Sequence, residues 1–262
     1  MSRDDDLARI KEALLRGGEI LRGFSPAHVD VTFKSGHSPV TDADFAVDEA
    51  LRRMLPRADE GWLSEESTDG RARLRHRRVW IVDPLDGTRE FLEHVPHWTV
   101  SIGLVEDGEA VAGGVYNPTT GEVFLGARET GTTLNGEPVR VSTRDSLEGA
   151  LVLSNRWAVR KRPAELTNQV FRVQVVNALA YSMALIAAGR ADAMWSRSPK
   201  AEWDTAGGAA LIAGAGGRVT NYAGGALRFN AWPPRAPGLV ASNGAVHPRV
   251  EWFLRRLPRP RR

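Results

Sequence analysis

Val79-Trp80-Ile81-Val82-Asp83-Pro84-Leu85-Asp86-Gly87-Thr88-Arg89-Glu90-Phe91 decides how the chain is read. Its first four residues are apolar and mostly β-favouring, which predicts a buried strand. Pro84 has no N–H to give to a ladder, so regular pairing should end there. Asp83 and Asp86 then fall at a strand end, on either side of Pro-Leu. Gly87 permits a tight turn, and Thr88-Arg89-Glu90-Phe91 can open a helix. A helix opening there offers unpaired N–H groups and a positive dipole end, which suit a phosphate. Two carboxylates beside such a turn would repel that anion unless cations lay between them. The stretch therefore predicts a divalent-metal phosphate site. Asp, Gly and Thr are also ordinary turn and cap residues, so an isolated Asp-x-x-Asp-Gly is most simply a capped turn. The rest of the chain has to decide between these readings.

Upstream, residues 4–21 place Leu7, Ile10, Leu14 and Leu21 on one helical face, with acidic residues at the start to complement the dipole. Residues 29–33 alternate as a short strand, and 34–39 form a loop. A second helix should start at Thr41 as N-cap, with Asp44 three residues on and Val47, Leu51, Met54 and Leu55 as its inner stripe. Taken alone, Asp42 and Asp44 there need only complement the dipole. Trp62-Leu63-Ser64-Glu65-Glu66-Ser67 reads as a solvated loop on composition alone. Residues 71–78, Arg-Ala-Arg-Leu-Arg-His-Arg-Arg, read most simply as a solvated charge run, with a polyanion-attracting patch as the functional alternative.

Downstream, strands are expected over 99–105, 110–116, 122–127 and 139–142, with Asp107-Gly108 and Asn135-Gly136 as turns. That makes the first half, residues 1–147, a meandering antiparallel sheet preceded by two helices. The second half, 148–262, alternates strand and helix: strands at 149–154, 171–176, 193–195 and 239–242, helices at 178–188, 204–215 and from His247. Gly214-Ala215-Gly216 follows a helix and does not open one, so it is no dinucleotide fingerprint. The last residues, 255–262, form a basic tail.

The 262 residues can bury a sizeable core, and the net charge of +3 is modest. An isoelectric point near 9.6 permits anionic partners without specifying one. The absence of cysteine excludes disulfides, thiol nucleophiles and Cys-ligated zinc. No apolar run follows the start and none is long enough to span a bilayer, so neither a signal peptide nor a membrane segment is expected and the default location is cytoplasmic.

Two residues separate the aspartates of the central stretch, which rules out the Asp-x-Asp-Gly-Thr arrangement of the haloacid-dehalogenase phosphatases. The longer string instead resembles the lithium-sensitive, magnesium-dependent phosphatases typified by inositol monophosphatase. Five stretches match that family in order: Ser38-Pro39-Val40-Thr41-Asp42-Ala43-Asp44, Leu63-Ser64-Glu65-Glu66, Asp83 to Thr88, Asn135-Gly136 and Trp203-Asp204. The resemblance implies an α+β fold, a layered α-β-α-β-α sandwich of the inositol monophosphatase and fructose-1,6-bisphosphatase type. It implies Glu65, Asp83, Asp86, Asp204 and the Leu85 carbonyl as ligands of two or three Mg2+ ions. Asp44 and Thr88 match the pair that orients the attacking water. Gly87, Thr88 and Arg89 would offer N–H groups to the phosphate, and Glu65 and Asp204 would also face the substrate. A small phosphorylated substrate and a homodimer are further expectations.

Within the family, Thr88-Arg89-Glu90-Phe91 and Glu202-Trp203-Asp204-Thr205-Ala206 look like the 3′(2′),5′-bisphosphate nucleotidases, which remove the 3′-phosphate of 3′-phosphoadenosine 5′-phosphate. Asn177-Ala178 and Ser154-Asn155-Arg156-Trp157 depart from that pattern, so inositol 1-phosphate or a related sugar phosphate is the alternative substrate. An alternative of another class, a nucleic-acid- or partner-binding role, rests on residues 71–78 and the basic tail; the complete carboxylate set favours catalysis over it.

Overall fold

The computed structural model describes residues 2–33, 39–161, 166 and 169–257. Helix α1 (Arg3–Arg22) is followed by a short antiparallel pair, β1 (Val31–Phe33) and β2 (Pro39–Thr41), and by α2 (Asp42–Met54). β3 (Glu60–Ser64), β4 (Arg78–Asp86), β5 (Thr99–Glu106), β6 (Glu109–Asn117), β7 (Glu122–Ala127), β8 (Gly131–Leu134) and β9 (Glu137–Val139) then lie side by side in chain order. β3 and β4 are parallel, and every later pair is antiparallel. Asp107-Gly108 and Asn135-Gly136 all have positive φ, the backbone that tight hairpins need.

Alternation along β4 sorts its side chains between two cores. Trp80 and Val82 pack with Ile10, Leu14, Val47 and Leu51 of α1 and α2. Val79 and Ile81 face the opposite way, into a cluster with Phe124, Tyr181, Met183 and Ile212. Burying each such side chain stabilises the fold by roughly 1.5–3 kcal/mol.

A second sheet has the order β11-β10-β12-β16-β14, built from β10 (Leu151–Ser154), β11 (Arg172–Val175), β12 (Ala193–Ser196), β14 (Arg218–Asn221) and β16 (Leu239–Ser242). A two-strand ribbon, β13 (Lys200–Ala201) with β15 (Arg235–Ala236), stands apart. Between the sheets lie α5 (Leu179–Ala187) and α6 (Ala206–Gly214), and they share one core with both. Outside the second sheet α7 (His247–Arg256) buries Val250 and Leu254 against Val152, Trp195 and Val240, with the short α4 (Arg156–Lys161) beside it. The layers run α-β-α-β-α. Position 147 falls where the chain passes from one sheet to the other.

α6 is nearly all Ala and Gly because it rests backbone to backbone on the first sheet. A Cβ on Gly103 would lie 2.8 Å from the Gly207 nitrogen, and one on Gly113 would lie 2.6 Å from the Gly207 oxygen. That approach sets how deeply Asp204, just before the helix, meets the end of β4.

Several local expectations are corrected. Met54 is 36% exposed and sits off the inner stripe that Val47, Leu51 and Leu55 form. The strand expected at 139–142 ends at Val139, because the Asn135-Gly136 turn pairs Glu137–Val139 with an unforeseen strand, β8. Residues 71–78 are not simply solvated. Arg73 is buried, donating to Asp69 and Asn230, and Arg78 is held by Asp6, Glu60 and Glu106. The loop residues 34–38 and the tail 258–262 lie outside the described residues. No described helix is long and apolar enough to cross a membrane.

Candidate active site

β4 carries the centre of the site. Its ladder with β5 is regular from Arg78 to Asp83, then shifts register before Asp86 meets Thr99. Pro84 sits in the interruption, where a residue without an N–H is tolerated. Gly87 follows at φ +98°, and a Cβ there would come within 3.0 Å of the His97 carbonyl oxygen. Only glycine fits that turn without strain. α3 (Thr88–Leu92) starts immediately after it.

Because β3 and β4 are parallel with Ser64 opposite Val82, Glu65 emerges beside Asp83, and its N–H donates to the Val82 oxygen at 3.3 Å. Carboxylate oxygens of Glu65, Asp83 and Asp204 lie within 4.8 Å of one another. Asp86 accepts the N–H groups of Leu179 at 3.1 Å and Ala180 at 2.7 Å, the first turn of α5. Asp44, in the first turn of α2, accepts the Thr41 N–H at 2.8 Å and the Thr41 hydroxyl at 2.6 Å on one oxygen. Its other oxygen lies 3.2 Å from the Thr88 hydroxyl, which is equally close to the Leu85 carbonyl. One hydroxyl proton serves one of these acceptors at a time. Glu65, Asp83, Leu85, Asp86, Gly87, Thr88, Arg89 and Asp204 all line one cleft of about 390 Å³.

So many carboxylates in one buried place suppress their own ionisation. Burial pushes the Asp83 carboxyl well above the usual range, and the charges of Glu65, Asp86, Asp204 and Asp44 push it further. Burial and Asp204 lift Asp86 to about 8, against the opposing pull of the Ala180 and Leu179 N–H groups. Burial and Glu65 lift Asp204 to about 7, with Lys200 and Arg235 working the other way. Asp44 is also raised, by burial first, despite its bonds from Thr41. A set of oxygen donors that resists its own negative charge fits hard divalent cations, which supply the missing positive charge.

Some participants escaped the sequence reading. Lys200 and Arg235 line the cleft from the β13–β15 ribbon. Pro199-Lys200 and Pro234-Arg235 carry no motif, and only strand pairing brings them together. Glu90 is buried at the rim and accepts the Asn177 amide. Glu202, part of the Glu-Trp-Asp string, does not line the cleft; it anchors the backbone N–H groups of Asn230 and Ala231.

Comparison with known proteins accords with this geometry. The model of the inositol monophosphatase family matches residues 4–254. The chain belongs to the inositol monophosphatase family. It is 33% identical over 262 residues to an inositol-1-monophosphatase of Rhizobium meliloti, covering 93% of each chain. It is also 33% identical over 247 residues to the Nus factor SuhB of Xylella fastidiosa, covering 89% of this chain and 88% of that one. The crystal structure of the extragenic suppressor protein suhB from Bartonella henselae superposes with a TM-score of 0.83 at 29% identity, over 96% of this chain and 99% of that chain. The inositol monophosphatase family is one of metal-dependent phosphatases, and the layered fold that the motifs implied is the fold observed.

Proposed function

We propose that the protein is a magnesium-dependent phosphomonoesterase whose substrate is 3′-phosphoadenosine 5′-phosphate, from which it removes the 3′-phosphate. The observation that carries the phosphatase reading is the meeting of Glu65, Asp83 and Asp204 within 4.8 Å, beside the Asp44–Thr88 pair. Glu65, Asp83, Asp86, Asp204 and the Leu85 carbonyl would hold two or three Mg2+ ions. When bound, such ions neutralise the phosphate and acidify a water molecule. Asp83, in contact with the Leu85 N–H at 3.1 Å, is oriented by the bulged strand end. Asp44, fixed by two bonds from Thr41, is the acceptor that aligns Thr88, and Thr88 in turn positions the attacking water. Gly87, Thr88 and Arg89 present the opening turn of α3 to the phosphate oxygens. No histidine base is required.

The bisphosphate nucleotide is favoured by Thr88-Arg89-Glu90-Phe91 and Glu202-Trp203-Asp204-Thr205-Ala206. A second reading, inositol 1-phosphate as substrate, is favoured by the likeness to an inositol-1-monophosphatase. The inward turn of Arg73 and Arg78 removes two charges from the run on which a nucleic-acid role rested. A homodimer belongs to the same proposal, and sedimentation velocity tests it. Phosphate release from 3′-phosphoadenosine 5′-phosphate, inositol 1-phosphate, fructose 1,6-bisphosphate and AMP, with and without magnesium, tests the function. Magnesium-dependent release, fastest from the bisphosphate nucleotide, is the expected result. Faster release from inositol 1-phosphate would transfer the assignment to the second reading.

A further inference from the structure

A second cavity, of about 480 Å³, opens beside the catalytic cleft and shares Arg89 and Glu90 with it. Its character is opposite. Arg89, Arg156, Arg160 and Lys161 line it against two acids, Glu90 and Glu93. Both acids are engaged within the wall: Glu93 pairs with Arg156 at 3.4 Å, and Glu90 accepts the Asn177 amide. Among the described residues, the cavity is left with a surplus of positive charge and with the indole of Trp157, which is 54% exposed.

The wall is anchored. The Asn177 side-chain oxygen accepts the Arg156 N–H at 2.7 Å while its amide donates to Glu90, so one residue ties the start of α4 to α3. Asn155 accepts the Ala158 N–H at 2.7 Å and caps the same helix start. α4 thus holds a fixed place beside the Arg89–Glu90 rim, with Arg156, Trp157, Arg160 and Lys161 all on the cavity.

A phosphomonoester whose phosphate enters the carboxylate cleft can send its alcohol portion across this rim, since Arg89 and Glu90 line both cavities. A neutral polyol would gain little from the cations beyond it. A second phosphate would meet them directly, without any metal ion, through charge-assisted hydrogen bonds. A flat base would meet the indole face. We propose that this cavity is the subsite for a second phosphate on the substrate, that Arg160 and Lys161 select nucleoside bisphosphates over nucleoside monophosphates, and that Trp157 receives the base. The proposal rests on the phosphomonoesterase reading of the cleft.

The test uses two substrates that share the scissile 3′-phosphate and differ only at the second one, 3′-phosphoadenosine 5′-phosphate and adenosine 3′-monophosphate. The readout is the ratio of their kcat/KM values under saturating magnesium. The wild-type ratio should exceed about tenfold, and the double variant Arg160→Ala/Lys161→Ala should lower it by about tenfold or more. Fructose 1,6-bisphosphate against fructose 1-phosphate forms a parallel arm. Trp157→Ala should lower kcat/KM for both nucleotides by a similar factor, leaving their ratio and the rates of the sugar pair where they were. A nucleotide ratio near one in the wild type, or one untouched by the double variant, overturns the proposal. Absence of magnesium-dependent release from every substrate would instead overturn the phosphomonoesterase reading beneath it.

Discussion

The two cavities that meet at Arg89 and Glu90 differ in how their charge is tolerated. On the cleft side the carboxylates of Asp83 and Asp86 are buried and that of Asp204 is half-buried, and all three crowd one another and are driven toward their protonated forms. Cations among the oxygens would stabilise its ionised state. On the other side the cations of α4 line a somewhat larger cavity, and Glu93 and Arg156 pair with each other. The lesson concerns constraint. A site that must hold metal ions dictates residue types at each position, whereas a site that binds an anion directly accepts arginine or lysine from many places.

The largest expected effect lies on the cleft side. Glu65→Gln should lower kcat/KM by about a thousandfold, because the carboxylate proposed as a metal ligand beside Asp83 and Asp204 loses its charge. Glu66→Gln, one residue farther along, should stay within about threefold. Steady-state phosphate release measures both, and equal losses would mean that the wrong glutamate was assigned. Thr88→Ala comes next: kcat should fall by about a hundredfold with little change in KM if the hydroxyl, as proposed, positions the nucleophile and contributes little ground-state binding. A sharply raised KM with unchanged kcat would make Thr88 a substrate-binding residue.

A third prediction sharpens the contrast through stability. Asp86 and Asp204 titrate near 8 and 7 in the metal-free fold, far above the ordinary value of 3.8. Between these limits the folded chain binds more protons than the unfolded chain. Their contribution to stability is therefore complete below about pH 3.8 and is lost as the pH rises through 7 to 8. Magnesium at a hundred times its Kd should restore about 2.7 kcal/mol at pH 8, raising the melting temperature by about 5–10 °C. Thermal melts at pH 5 and pH 8, with and without magnesium, check this; a shift no larger at pH 8 than at pH 5 would contradict it. The smallest effect belongs to the basic side. Asn177→Ala should loosen the start of α4 and lower the preference for bisphosphate over monophosphate by about threefold. An unchanged preference would show that α4 is held by other contacts.

What the sequence disclosed follows the same division. Pro84, Gly87 and the two aspartates made the strand end and the turn legible, because each acts within a few residues. Asn135-Gly136 disclosed its turn, though not the strand that enters it. Arg78 was misread because its partners are remote; Asp6 lies 72 positions away. Lys200 and Arg235 were invisible for a related reason, since only the register of the ribbon joins them. The Gly and Ala of α6 gave a helix, but its contact with Gly103 and Gly113 depends on sheet packing that no local pattern encodes.

Phosphate release as a function of magnesium concentration, measured side by side for the wild type and Asp83→Asn, tests the central claim most directly. Asp83 lies at the middle of the carboxylate cluster, so a neutral amide there should weaken every cation that the cluster holds. The wild type should be silent in chelator and rise to saturation with magnesium. The folded variant should show almost no turnover across the same range. Wild-type-like release by a folded Asp83→Asn protein at limiting magnesium, or undiminished wild-type release in chelator, would contradict the account.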